Sequence, residues 1–136
     1  MSLTIADRVE IADLVARYMH ALDRRDAEAL AATFAEDGVL DVAGRRIAGR
    51  GALLDFVRAG TGTFSSGSRH WSSNLVIDGD GDAATASCYM LVVDANDQGR
   101  VAVVGRYDDE LRKVNGAWRF TNRRITFDYY EPGLRS

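Results

Sequence analysis

At 136 residues, with 46 % apolar side chains and a single proline, the chain has the size and composition of one packed globular domain spanning 1–136. Twenty acidic against seventeen basic residues give a net charge of −3, and the arginines are scattered along the chain, which argues against a nucleic-acid-binding tract. One cysteine, Cys88, excludes an internal disulfide and a thiolate zinc site and fits a reducing, cytoplasmic setting. No apolar run approaches the roughly 20 residues that cross a bilayer, and the acidic opening MSLTIADRVEIAD does not read as a signal peptide.

From Thr4 to Arg24, apolar side chains at Ile11, Leu14, Val15, Tyr18, Met19 and Leu22 repeat at helical spacing and predict one amphipathic helix. Thr4 with Asp7 three residues on supplies an N-terminal cap. Asp23-Arg24-Arg25-Asp26 ends that helix, and Asp26 caps a short second one over AEALAATFA. From Gly38, GVLDVAGRRIAG reads as two short strands around a turn at Ala43-Gly44, and RGALLDFVRA, Arg50 to Ala59, as a third helix. Gly60 to Gly67, rich in Gly, Ser and Thr, reads as a mobile loop.

Four strands follow, over about Ser68 to Ile77, Ala83 to Val93, Val101 to Val114 and Ala117 to Tyr130. They are separated by DGDGD, ANDQG and NG, which favour positive φ and so mark hairpins. Helices first and an antiparallel meander after them define an α+β fold, the helices covering one face of a curved sheet. Ala84, Ala86, Cys88, Met90 and Val92 share one strand face while Tyr89, Leu91 and Val93 share the other. A one-sided sheet would be polar on its wet face, so apolar character on both implies a second buried surface, supplied by a homodimer packed sheet on sheet. In the last strand Trp118 and Phe120 have one parity and Ile125, Phe127 and Tyr129 the other, which a bulge near Asn122 to Arg124 explains in part.

The segment RYMHALDRRDAEALAATFAEDGVLD, then RHWSSN, then GRYDDELRKVNGAWRFTNRR resembles the SnoaL-like group of the nuclear transport factor 2-like superfamily. The likeness lies in a tyrosine five residues before an Asp-x-x-Asp corner, the Phe-Ala-Glu-Asp-Gly that follows, a histidine opening the first long strand, and Gly-x-Trp-Arg-Phe in the last. The resemblance implies a cone-shaped half-barrel, with three N-terminal helices on a curved, mainly antiparallel sheet and a pocket inside. Relatives of this kind include scytalone and bile-acid dehydratases, ketosteroid isomerase, epoxide hydrolases, polyketide cyclases and proteins without activity, so fold alone does not select a reaction.

Position by position, the resemblance to the dehydratases puts their orienting aspartate on Asp23, their proton-moving histidine on His70 and a pocket tyrosine on Tyr18. The chemistry is coherent: a carboxylate on one imidazole nitrogen fixes the tautomer, and the other nitrogen serves as a base near neutral pH. Departures narrow it. Leu22 stands where scytalone dehydratase has a tyrosine, and a second pocket histidine is missing, since His20 lies on the first helix. Phe127 stands at a bile-acid dehydratase arginine, although Arg123 and Arg124 are near, and SCYML lacks the Arg-x-Asp of epoxide hydrolases.

Further pocket-wall candidates are Val42, Phe56, Trp71, Tyr107 and Trp118, with Asn74 on the His70 face if no bulge intervenes. The plainer alternatives remain open: Asp23 as a helix terminator, His70 as a packed strand residue, Tyr18 as part of the core stripe, and Asp109 in an ion pair with a nearby arginine. Asp78 to Asp82 lacks the length and glutamate of a calcium loop and reads as a turn. Neither a metal-ligand cluster nor a dinucleotide-binding glycine turn is apparent, so no metal or organic cofactor is expected. The expected function is a cofactor-independent lyase or isomerase acting on a small apolar oxygenated ring compound, steroid-, terpenoid- or polyketide-like. The alternative is a non-catalytic binding or scaffold protein of the same fold.

Overall fold

The computed structural model describes residues 1–60 and 66–131. Its first helix, α1, spans Ile5–Asp23. Thr4 and Asp7 form the expected reciprocal capping box, which satisfies two N–H groups that a helix start otherwise leaves unpaired. Asp7 also accepts from Lys113 Nζ at 2.9 Å and Trp118 Nε1 at 3.1 Å. These bonds, the Thr4 backbone bond first among them, hold its carboxyl well below the usual carboxylate range and pin the start of α1 to the sheet.

Helix α2 spans Ala27–Ala32 with Asp26 as its cap. It ends sooner than the apolar pattern suggests: the Thr33 hydroxyl donates to the Leu30 carbonyl at 2.7 Å and Phe34 already opens a strand. Strands β1 (Phe34–Val42) and β2 (Arg45–Ala48) pair around the Ala43-Gly44 turn, both turn residues at positive φ. Helix α3 covers Arg50–Arg58. Four long strands follow: β3 (Ser68–Asp80), β4 (Ala83–Asp94), β5 (Arg100–Val114) and β6 (Ala117–Tyr130). The Asn115-Gly116 turn has φ of 52° and 81°, the two successive positive values a tight hairpin demands. Most of the Gly60 to Gly67 loop lies outside the described residues.

Among the described residues, six strands form one open curved sheet in the order β2-β1-β6-β5-β4-β3, antiparallel throughout except for the β1–β6 pair, which is parallel. This is the expected α+β half-barrel, with the helices packed on the concave face. Ile11, Leu14, Val15, Tyr18, Met19 and Leu22 of α1 meet Cys88, Met90, Val103, Tyr107, Trp118 and Phe120 of the sheet in one core.

Bulges decide which side chains reach that core. Leu111 pairs with Phe120 but Glu110 with Asn122, so the chain gains a residue at Thr121 and the buried parity passes from Phe120 to Arg123 and Ile125. The expected bulge is therefore real and sits one residue earlier. A second inserts Ala102, turning Val101 outward while Val103 and Tyr107 stay inside, so Val101 does not share their face. A third, between Ser73 and Val76, takes Asn74 to φ +59° and leaves it exposed, which breaks the expected alignment of Asn74 with His70.

The convex face carries apolar residues in register. Trp71, Leu91, Val104 and Tyr129 stand opposite one another across β3, β4, β5 and β6. Trp71 is 65 % exposed and Tyr129 49 %, with Tyr89 nearby at 57 %. No helix among the described residues is long and apolar enough to cross a membrane.

Candidate functional site

Asp23 is the last residue of α1, and His70 lies near the start of β3, the outermost strand. An edge strand presents N–H groups to no neighbouring strand, and the end of α1 brings a carboxylate to one of them. The His70 backbone N–H donates to both Asp23 oxygens, at 3.1 and 3.0 Å, and His70 Nδ1 lies 2.6 Å from Asp23 Oδ1. A carboxylate accepts, so in the neutral imidazole the proton sits on Nδ1 and the lone pair on Nε2. Asp23 faces the negative end of its own helix, an unfavourable place for a carboxylate, and the three contacts to His70 offset that cost. The His70 side chain is 4 % exposed and that of Asp23 14 %.

The pair borders an open cleft of about 710 Å³ between the C-terminal half of α1 and the start of β3. This volume lies within the roughly 300–1,000 Å³ of small-molecule sites. Met19, Asp23 and Arg24 line it from one side and Arg69, His70 and Trp71 from the other. His20 also borders the cleft from the exposed side of α1, while the Asp23 carboxylate is taken up by His70. Arg69 is steadied by the Ser66 and Ser68 carbonyls at 3.2 and 2.8 Å.

Of the other expected pocket residues, Trp71 alone shares this cleft. Tyr18, Tyr107 and Trp118 are fully buried, and Val42 and Phe56 are core residues, none of them on its lining. Trp118 is held by Asp7 and Glu10, since its backbone N–H donates to Glu10 at 2.6 Å. Tyr18 and Tyr107 belong to a second arrangement, which the sequence reading did not assemble. The Thr121 bulge sends Arg123 inward, where Nε donates to Asp109 Oδ1 at 2.9 Å and Nη2 to Oδ2 at 3.4 Å. Both side chains are completely buried. Asp109 is thus in the ion pair that its plainer reading suggested. Burial pushes the Asp109 carboxyl up to about 6 against the opposing pull of Arg123, and pushes the Tyr18 phenol up to about 12. The signal that could have found Arg123 was the parity change in β6, which puts a charged residue in phase with Ile125.

The helix-covered curved sheet places the chain among the nuclear transport factor 2-like proteins of cystatin-like fold. Within that class the SnoaL-like domain matches residues 3–124, and the chain belongs to the SnoaL-like family. A protein of unknown function with a cystatin-like fold from Nostoc punctiforme is 39 % identical, with a TM-score of 0.90 over 97 % of this chain and 98 % of the other. The Aln2 protein of a Streptomyces species is 28 % identical, with a TM-score of 0.82 over 94 % and 95 % of the two chains. A Novosphingobium aromaticivorans protein provisionally named a scytalone dehydratase is 25 % identical, with a TM-score of 0.76 over 97 % of each chain. No curated protein matches the chain.

Proposed function

We propose that this protein is a cofactor-independent lyase or isomerase acting on a small, largely apolar, oxygenated ring compound of steroid-, terpenoid- or polyketide-like character. The observation that carries the proposal is the 2.6 Å contact of Asp23 with His70 Nδ1 beside a cleft of ligand size. His70 Nε2 takes a proton from a carbon next to a substrate carbonyl, and the electron pair moves into an enolate. Asp23 fixes the ring and balances the imidazolium that forms, and Tyr18 donates a hydrogen bond to a substrate oxygen. In elimination, the enolate expels a β-hydroxyl that leaves as water with the proton from His70. In isomerisation, the same proton returns to a different carbon and nothing leaves.

Relatives named for scytalone dehydratase and for an aromatic ring hydroxylase keep ring compounds in view as substrates. The test is incubation with a panel of hydroxylated ring ketones, followed by mass spectrometry. Loss of one water indicates a lyase, and a changed retention time at unchanged mass an isomerase. Full turnover by folded Asp23→Ala and His70→Ala proteins would end the proposal.

The competing reading is a binding or scaffold protein, favoured by the depth at which Tyr18, Tyr107 and Trp118 are buried. Ligand retention without conversion, unchanged by His70→Ala, is its signature. In either case we propose a homodimer through the convex row Trp71, Leu91, Val104 and Tyr129. Light scattering on Val104→Arg should then report half the wild-type mass, and a wild-type monomer would refute it.

A further inference from the structure

Three polar groups of the core, one guanidinium nitrogen and two phenol hydroxyls, are left without a hydrogen bond. Arg123 Nη1 and the hydroxyls of Tyr18 and Tyr107 are buried and make no hydrogen bond, and all three residues are fully buried. The Arg123 guanidinium carbon lies 3.7 Å from the Tyr107 ring centre, 4.3 Å from that of Tyr18 and 4.5 Å from that of Phe120. Three aromatic faces thus hold the cation in place. Its fork to Asp109 uses Nε and Nη2 and leaves Nη1 over. The two rings meet edge to face with centres 5.6 Å apart. The two phenols are close enough to shift each other's ionisation, and the Arg123 cation lies near both of them and near Cys88.

Buried polar groups without partners are rare in folded proteins and ask for an explanation. A guanidinium donates only, and a phenol whose ionisation is suppressed by burial keeps its proton to donate. An acceptor-only oxygen is the kind of partner that each of the three lacks. A negatively charged oxygen serves them best, because charge-assisted hydrogen bonds are stronger and the low-dielectric surroundings strengthen them further.

We infer that Arg123 Nη1, Tyr18 and Tyr107 form an interior subsite for an anionic oxygen of the ligand, either a carboxylate or an ionised phenol or enol. None of the three borders the Asp23–His70 cleft, and the subsite lies deeper in the core than the cleft lining. It shares Tyr18 with the proposed function and for that residue rests on it. The remainder rests on burial and on hydrogen bonds left unmade.

The probes are benzoate, 4-nitrophenol above its pKa, and benzyl alcohol as the uncharged control, titrated calorimetrically at constant ionic strength. Wild type is compared with Tyr18→Phe, Tyr107→Phe and the double variant, which keep ring packing and remove only hydroxyls. Arg123 is left in place because its removal strands Asp109. Binding of either anion, weakened about tenfold for each hydroxyl removed, supports the subsite. Which anion binds separates the carboxylate from the phenolate. Failure of both anions to bind, equal binding by wild type and the double variant, or benzyl alcohol binding as tightly as the anions overturns it. His70→Ala should bind the probe as wild type does, so loss of the catalytic proposal and loss of this one give different results.

Discussion

The edge cleft and the buried arginine cluster solve opposite problems with the same residue types. At the edge, Asp23 satisfies the His70 ring at Nδ1 and the His70 backbone together, and leaves Nε2 outside the contact. In the interior, Asp109 satisfies two Arg123 nitrogens and leaves a third with no protein acceptor, among phenols in the same state. A carboxylate near solvent can orient a base without raising the cost of the fold. A carboxylate wholly out of water must be matched, and its loss is felt by the entire domain.

That contrast can be broken most forcefully at Arg123. Replacing it with Met leaves Asp109 buried without its partner and should cost about 3–5 kcal/mol in urea unfolding. Adding Asp109→Leu should recover most of that, and a single variant as stable as wild type would show that the pair is structurally idle. His70→Ala and Asp23→Ala should instead lose about 10²–10⁴-fold in turnover, as expected for a positioned general base, with melting temperatures close to wild type. A large drop in stability with little loss of turnover would reverse the assignment of the two regions.

The pH dependence of stability separates them again. The folded Asp109 carboxyl sits at about 6 against an ordinary value of 3.8, so the native state holds this proton more tightly than the unfolded chain does. The stability this contributes is complete below about 3.8 and is lost as pH rises through about 6. Unfolding measured across this window should show a component that falls with pH and vanishes in Asp109→Asn. Asp7 acts in the other sense: its carboxyl is depressed by hydrogen bonds, so its contribution is present above the unfolded value and lost as pH falls. Smallest of the effects, Thr4→Ala removes the capping hydroxyl of α1 and should cost about 1 kcal/mol by thermal unfolding.

Element order, the cap of α1, the hairpin turns and the Asp23–His70 neighbourhood were all legible because each depends on local chemistry or on matched motif positions. Thr4 and Asp7 need only three residues between them, and Asn115-Gly116 carries its own backbone preference. Asn74 leaves the His70 face because period-two alternation holds only until a bulge, and a bulge is set by the neighbouring strand. Tyr18 read equally well as core or pocket, since a helical stripe gives direction and not depth. Arg123 lay hidden for a related reason: among scattered arginines only the parity change in β6 marks it, and the register that carries it inward is set by the partner strand β5.

The long free side of β3 has a consequence for how copies of the chain meet. Asp23 occupies the N–H of His70 near its start, the Asn74 bulge bends it midway, and Ser2 bridges to Asp80 at its end. A foreign strand seeking to extend the sheet finds no uninterrupted run of free backbone there. The contact that orients His70 thus also guards the protein against open-ended, fibril-like growth at its exposed border.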